Sequence, residues 1–272
     1  MGLWMGNMLL VMKGVALGIA NIIPGLSGGT VAVVLGIYQV LIDSLASLLS
    51  FKKRDCIDSF IFLMLIGVGV VGGVFCFSFI IDWILLHYLE SVSFFFIGVI
   101  LSSIPYIMLS ESIQIVTVSR VFLCVLGIVI GISLVMAKGY FFAEHFVTDV
   151  SAGYLFLSVM IAAATMIIPG ISGSLVLVLF GTYSFVIACI KGMVWFDLCI
   201  IGVAVLVGIF GCSKLLHLCI NHYFQLTMSL VIGLMLGTMP GIYNGFTDAF
   251  MFLNVISFVI GIAVVWSVKI FR

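Results

Sequence analysis

Charged residues are scarce in this chain of 272 residues: only 7% are Asp, Glu, Lys or Arg, and their formal charges sum to zero. So few charges cannot cover a water-soluble surface, since 65% of the residues are hydrophobic and the mean hydropathy is +1.48. The neutral balance also argues against nucleic acid, or any large anionic surface, as a partner. What remains is an integral membrane protein.

Alternating patterns of the kind found in membrane β-barrels are absent, because the apolar stretches are long and unbroken. The N-terminal segment lacks the basic region and cleavage site of a signal peptide, and we read it as retained. The chain is therefore predicted to be all-α and polytopic, with a single transmembrane domain over residues 1–272. Its apolar stretches cover roughly 8–23, 26–49, 60–86, 92–109, 121–137, 151–168, 170–190, 198–219, 226–243 and 250–270.

Motifs for chemistry are missing as well. The seven cysteines stand singly, with neither a CxxC pair nor a His-Cys cluster, which is typical of small core residues. No HExxH, nucleophile elbow or Walker loop occurs. We therefore expect no catalytic residue, no metal site and no cofactor.

Proline is rare, and all four prolines belong to an internal duplication. IIPGLSGGTVAVVLGIY (22–38) matches IIPGISGSLVLVLFGTY (167–183), and HYLESVSFFFIGVILSSIP (87–105) matches HYFQLTMSLVIGLMLGTMP (222–240). Two repeats are predicted, at about 8–137 and 151–270. Each comprises a helical hairpin broken at Pro-Gly and three further transmembrane helices.

The basic residues orient these repeats. If the N-terminus is cytoplasmic and each hairpin enters and leaves on one side, an odd number of crossings inverts the second repeat relative to the first. Inverted-topology repeats are typical of secondary transporters, whose substrate site lies between the halves near the membrane midplane. The positive-inside rule then holds with Lys52, Lys53, Arg54, Arg120, Lys214, Lys269 and Arg272 inside, Lys138 and Lys191 outside, and Lys13 uncounted.

Each Pro-Gly break has the chemistry of an anion site. Proline ends the preceding helix at Ile23 or Ile168, and the glycines permit positive φ and close backbone approach. Hydroxyls can cap the helix that follows, from Ser27 or Thr30 and from Ser172 or Ser174. Non-helical backbone inside a membrane must line a polar cavity or meet a ligand, and free N–H groups beside hydroxyls suit a phosphate. Two alternatives are a kink at a close helix contact and a cation site made of carbonyls.

Other polar residues are weaker candidates. Lys214 is either a cationic helper for an anionic head group or a lysine that snorkels at a helix end. Tyr38 and Tyr183 either donate to a head group or pack. His87 and His222 are repeat mates, and their positions favour anchoring at the membrane interfaces over proton transfer.

ANIIPGLSGGTVAVVLGIYQVLI (20–42) and MIIPGISGSLVLVLFGTY (166–183) closely resemble the bacterial and archaeal PopT-type polyprenyl-phosphate translocases, once a membrane family of unknown function. The resemblance covers nearly the whole chain. It implies a multi-pass protein of the cytoplasmic membrane that recycles undecaprenyl phosphate, the lipid carrier of cell-wall precursors, from the outer to the inner leaflet. The implied partner is a polyprenyl phosphate within the bilayer.

The resemblance also implies a substrate-binding set. Asn21, Gln39 and Ser184 stand where the family pattern has acidic residues, which leaves the source of energy open. Lys214 falls where relatives tend to carry a basic residue. The full predicted set is Asn21, Pro24, Gly25, Ser27, Gly28, Gly29, Thr30, Tyr38, Gln39, Pro169, Gly170, Ser172, Gly173, Ser174, Tyr183 and Lys214.

Two other functions use the same features. A transporter or channel for a small soluble anion would employ the same helix N-termini. A non-transporting membrane scaffold would use the repeats only for packing. The oligomeric state is not indicated by the sequence.

Overall fold

The computed structural model describes residues 2–23, 27–48, 53–141, 150–247 and 250–268. Pro24, Gly25, Lys52, Lys269 and Arg272 lie outside these ranges. No strand occurs in the described ranges, and the all-α prediction is confirmed. The helices are α1 (Gly2–Ile22), α2 (Gly28–Val34), α3 (Tyr38–Leu48), α4 (Lys53–Ser110), α5 (Val118–Phe141), α6 (Ala152–Ile167), α7 (Gly173–Leu179), α8 (Tyr183–Gly192), α9 (Trp195–Thr238) and α10 (Met251–Val268), with a 3-10 turn at Met239–Gly241.

Hydropathy and helix length identify this chain as a multi-pass membrane protein. Within the described residues, four segments are long and apolar enough to cross a membrane, and up to six are if each bent pair, α2–α3 and α7–α8, is one span. Phe75, Val118 and Phe252 expose 77%, 84% and 80% of their surface, which is expected where lipid is the solvent. The four segments are Cys56–Ser78, Trp83–Ser110, Val118–Ala137 and Trp195–Gly241.

The sequence suggested one helical arm after each break, at 26–49 and 170–190. The structure differs from this prediction. Each segment contains two short helices, and the chain bends between them by 119° in the first repeat and by 110° in the second. Gly36 and Gly181 turn the chain with φ of +66° and +68°. Each closes the preceding helix with a Schellman motif, in which the N–H of Ile37 or Thr182 donates to the carbonyl of Ala32 or Leu177 at 3.0 Å. The predicted hairpins therefore have a second corner.

Two pairs of predicted segments join into the long helices α4 and α9, each interrupted at one tyrosine. Tyr88 has φ −135° and ψ 33°, and its repeat mate Tyr223 has φ −135° and ψ 44°. Thr227 Oγ1 donates to the carbonyl of Cys219 at 3.1 Å. Residues eight apart lie about 12 Å apart along a straight helix, so α9 must turn sharply at this tyrosine.

The histidines before these tyrosines bond to their own helices. His87 Nδ1 lies 2.8 Å from the carbonyl oxygen of Trp83, and His222 Nδ1 lies 3.0 Å from that of Leu218. Each N–H thus satisfies a carbonyl close to a point where the helical ladder is interrupted. Their anchoring at membrane interfaces stays a prediction.

The two repeats hold each other by reciprocal hydrogen bonds. The Gln114 N–H donates to Gln225 Oε1 at 3.1 Å, and the Thr247 N–H donates to Glu90 Oε2 at 3.1 Å. Gln225 is the repeat mate of Glu90. Each repeat therefore accepts a hydrogen bond from the loop that precedes the last helix of the other repeat. These last helices, α5 and α10, pack mainly on α9 and α4 of the opposite repeat.

Glycines bring these crossing helices into backbone contact. A methyl group on Gly98 would meet the carbonyl oxygen of Phe258, and one on Gly233 would meet that of Cys124. Gly233 is the repeat mate of Gly98. Small residues of this kind allow membrane helices to approach closely without a hydrophobic driving force between them.

We expect Gly233→Ala to destabilise the protein by about 1–3 kcal/mol, because the methyl would force α5 away from α9. Gly202→Ala is the matched control on α9, since no atom lies within 4 Å of its added methyl. The measurement is the thermal unfolding midpoint in detergent. Equal midpoints for the two variants would show that this crossing does not depend on backbone contact.

Candidate functional site

Each break ends one helix and begins another, as the proline chemistry predicts. In the second break α6 ends at Ile167, and Ile168, which precedes Pro169, is extended with φ −76° and ψ 119°. Gly170 follows with φ +92°, which a residue with a side chain rarely adopts. In the first break α1 ends at Ile22, before the undescribed Pro24 and Gly25.

Ser27 and Ser172 occupy the N-cap positions of α2 and α7 in nearly identical conformations, with φ and ψ of −98° and 128° and of −95° and 127°. Neither side chain caps its helix, so the capping prediction is wrong for both. The Ser27 hydroxyl instead donates to the carbonyl of Ile168 at 3.5 Å, and the Ser172 hydroxyl lies 2.8 Å from that of Ser174. Because the two serine hydroxyls have other partners, neither accepts a hydrogen bond from the first backbone N–H groups of α2 or α7.

The two breaks, 141 residues apart at this contact, touch each other directly. Besides the bond from Ser27, the Gly170 N–H donates to Thr30 Oγ1 at 2.9 Å. A methyl group on Gly29 would lie 2.9 Å from the carbonyl oxygen of Ile167 and 3.1 Å from the nitrogen of Pro169. Gly29, Thr30, Pro169 and Gly170 therefore join the two breaks.

A cavity of about 240 Å³ opens between the breaks, and we call it the shared cavity. Its lining includes the buried Ser27 and the exposed Ser174, so the cavity extends from the interior to the protein surface. The amide of Asn21 lies over Gly28, since a methyl group there would be 2.7 Å from Asn21 Oδ1. The lining residues are Asn21, Ile23, Ser27, Gly28, Met166, Ile171, Ser172, Gly173, Ser174 and Tyr183.

Dipoles rather than charges make the shared cavity polar. None of its described lining residues is Asp, Glu, Lys, Arg or His; its polar groups are three serine hydroxyls, the Tyr183 phenol, the Asn21 amide and backbone at the starts of α2 and α7. Lys214 is exposed on α9 and does not line the cavity. Its role as a cationic helper stays a prediction.

Tyr38 and Gln39 lie in a different cavity, of about 190 Å³, which also borders α4 and α9. Tyr38 is buried, and its hydroxyl has no hydrogen-bond partner in the described part of the chain. The repeat-related Tyr183 lines the shared cavity instead, so the duplication does not extend to the roles of these two tyrosines.

A polar pair beside this second cavity was not foreseen from the sequence. Asp43 lines the cavity, and its Oδ1 lies 2.7 Å from Nδ1 of His217, which joins α3 to α9. The amide of Asn221 lies 3.0 Å from His217 Nε2. Because the partners are 174 residues apart, no local pattern could have indicated them.

The sequence matches one family over most of its length. A family model described as undecaprenyl phosphate translocase-like matches residues 17–254. A polyprenyl-phosphate transporter of Staphylococcus aureus is 31% identical over 266 residues, which cover 93% of both chains. One of Vibrio cholerae is 29% identical over 252 residues, which cover 89% of this chain and 79% of that relative. No solved structure matches the chain. By the match over residues 17–254, the chain belongs to the undecaprenyl phosphate translocase-like family.

Proposed function

We propose that this protein moves undecaprenyl phosphate, or a closely related polyprenyl phosphate, from the outer to the inner leaflet of the cytoplasmic membrane. It does so without chemical change to the lipid. The names of its relatives and its family support the substrate. The main support for the position of the phosphate site is the shared cavity, which residues of both helix breaks line.

The shared cavity offers a phosphate hydrogen bonds without a fixed counter-charge. Charge-assisted bonds from hydroxyls and amides are each worth about 1.5–3 kcal/mol, so several of them offset much of the cost of removing a phosphate from water. Since none of the described lining residues is Asp, Glu, Lys, Arg or His, release of the ligand on either side breaks no ion pair with them. That property suits a carrier, which must bind and let go.

We further propose that the two repeats lie inverted in the membrane and expose the shared cavity alternately to the two leaflets. The reciprocal bonds of Glu90 and Gln225 and the mutual packing of α5 and α10 support a two-fold relation between the repeats. Movement of one repeat against the other about such an axis is a common route to alternating access.

Reconstitution tests the function directly. The purified protein is placed in liposomes with a labelled short polyprenyl phosphate, and its movement between leaflets is followed with and without a pH gradient. Movement above that of empty liposomes is expected. Transport of a soluble anion that added polyprenyl phosphate leaves undiminished would instead support a small-anion transporter.

The Ser27→Ala, Ser172→Ala double variant should lower the transport rate at least about tenfold, because two hydroxyls that line the shared cavity are lost. Ser133→Ala is the matched control, since the exposed Ser133 hydroxyl on α5 bonds only to the carbonyl of Val129 in its own helix. Expression should be near wild type in both, and the unfolding midpoint of the double variant should fall only slightly, because one long hydrogen bond between the breaks is lost while the Gly170–Thr30 bond remains. A double variant that transports normally would rule out the hydroxyls as ligands.

Gly29→Ala should reduce transport strongly, because its methyl would press on the backbone of Ile167 and Pro169 and separate the breaks. Gly67→Ala is the control, since its methyl meets no atom within 4 Å. The assay is the same liposome measurement, with the unfolding midpoint recorded in parallel. Full activity of Gly29→Ala would show that transport does not require the breaks to touch.

A further inference from the structure

A large apolar cavity, of about 520 Å³, borders the end of α1. We call it the apolar cavity. Most of its lining is isoleucine, valine, leucine and phenylalanine, and none of its described lining residues is charged. Three segments supply the walls: Ile19 and Ile23 at the end of α1, residues 81–96 on both sides of the Tyr88 turn in α4, and residues 253–260 of α10.

The apolar cavity and the shared cavity meet at one residue. Ile23, which directly precedes the first Pro-Gly break, lines both of them. Ile23 thus borders a polar space and an apolar one. A ligand that spans both must carry a small polar group joined directly to a hydrocarbon chain.

The walls of the apolar cavity are fixed by a buried polar network. The Ser91 hydroxyl donates to Asn254 Oδ1 at 2.7 Å, and both side chains are buried. Glu90 also accepts from the Thr247 N–H at 3.1 Å, which ties the loop before α10 to α4. Because these bonds join α4 to α10 beside the apolar cavity, they hold its walls in place in the folded protein.

We propose that the apolar cavity binds the first isoprene units of the lipid tail while the phosphate occupies the shared cavity. This inference rests on the proposed function and adds a second subsite to it. The occupant follows from the pairing of the cavities, since the tail begins at the oxygen that carries the phosphate. A free phosphate or another soluble anion would leave the apolar cavity without a role.

Selection of the correct lipid is the main consequence. The bilayer already shields a hydrocarbon tail from water, so the cavity gains little from the hydrophobic effect. What it supplies is close packing around one methyl-branched chain, through many small dispersion contacts. Phosphatidic acid carries the same phosphate monoester but on a glycerol with two acyl chains, whose packing against these walls differs from that of one methyl-branched chain. The apolar cavity therefore separates polyprenyl phosphate from phospholipids with a similar head group.

Ser257→Phe tests the proposal, because Ser257 lines the apolar cavity on α10 and a phenyl ring there would fill part of it. Ser267→Phe is the matched control, since it makes the same exchange on the same helix at an exposed residue outside the cavity. Equilibrium binding of two prenyl phosphates is measured on each protein in nanodiscs. They are dimethylallyl phosphate, with one isoprene unit, and farnesyl phosphate, with three.

Wild type and Ser267→Phe should bind farnesyl phosphate more tightly than dimethylallyl phosphate, by about fivefold or more. Ser257→Phe should lose most of this preference while its affinity for dimethylallyl phosphate is unchanged. Retention of the preference in Ser257→Phe overturns the tail site alone. Binding of neither phosphate to wild type overturns the proposed function as well.

A second measurement does not depend on any variant. Wild-type protein is irradiated with a prenyl phosphate that carries a diazirine on its second isoprene unit. Labelling should map to residues 81–96 and 253–260, and excess undecaprenyl phosphate should abolish it where excess phosphatidic acid does not. Labelling spread over the lipid-facing surfaces of α5 and α9, or equal competition by phosphatidic acid, overturns the tail site.

Discussion

The contact between the two Pro-Gly breaks is the interaction on which the rest of this structure depends. Inside a membrane every backbone polar group needs a partner within the protein, and a broken helix exposes several at once. Here each break supplies partners for the other: Ser27 donates to Ile168, and the Gly170 N–H donates to Thr30. Two features that would each be costly alone become compatible with a bilayer when they are placed together.

That contact is maintained by packing farther away. The last helix of each repeat lies on the long helix of the other, at crossings where Gly98 and Gly233 bring backbones together. The reciprocal bonds of Glu90 and Gln225 fix the loops that lead into these helices. Because hydrophobic burial cannot drive association in lipid, such close packing and hydrogen bonding hold the repeats in register. A shift in these crossings would alter the spacing of the breaks.

The two cavities at the end of α1 give the site its amphipathic character. The shared cavity is polar although none of its described lining residues is Asp, Glu, Lys, Arg or His, and the apolar cavity next to it is lined mainly by branched and aromatic side chains. A carrier for a lipid phosphate needs both properties, since the head group must leave water while the tail stays in an apolar surrounding. The second cavity near Tyr38, with the Asp43 and His217 pair, lies apart from this arrangement and breaks the equivalence of the repeats.

Local sequence determined the helical class, the membrane class, the duplication and the ends of α1 and α6, because hydropathy and the sterics of proline act over a few residues. It also pointed to Ser27, Ser172 and Ser174, whose hydroxyls line the shared cavity, while their part in binding substrate stays a prediction. The repeated glycines Gly36 and Gly181 were a sequence signal for the two corners. Hydropathy did not reveal these turns, because each glycine lies within an apolar run. Only the tertiary structure decided that Ser27 bonds to Ile168 instead of capping α2, that Lys214 lies outside the shared cavity, and that Asp43 meets His217. Each of these depends on a partner more than a hundred residues away or on the packing of several helices, which no short stretch of sequence encodes.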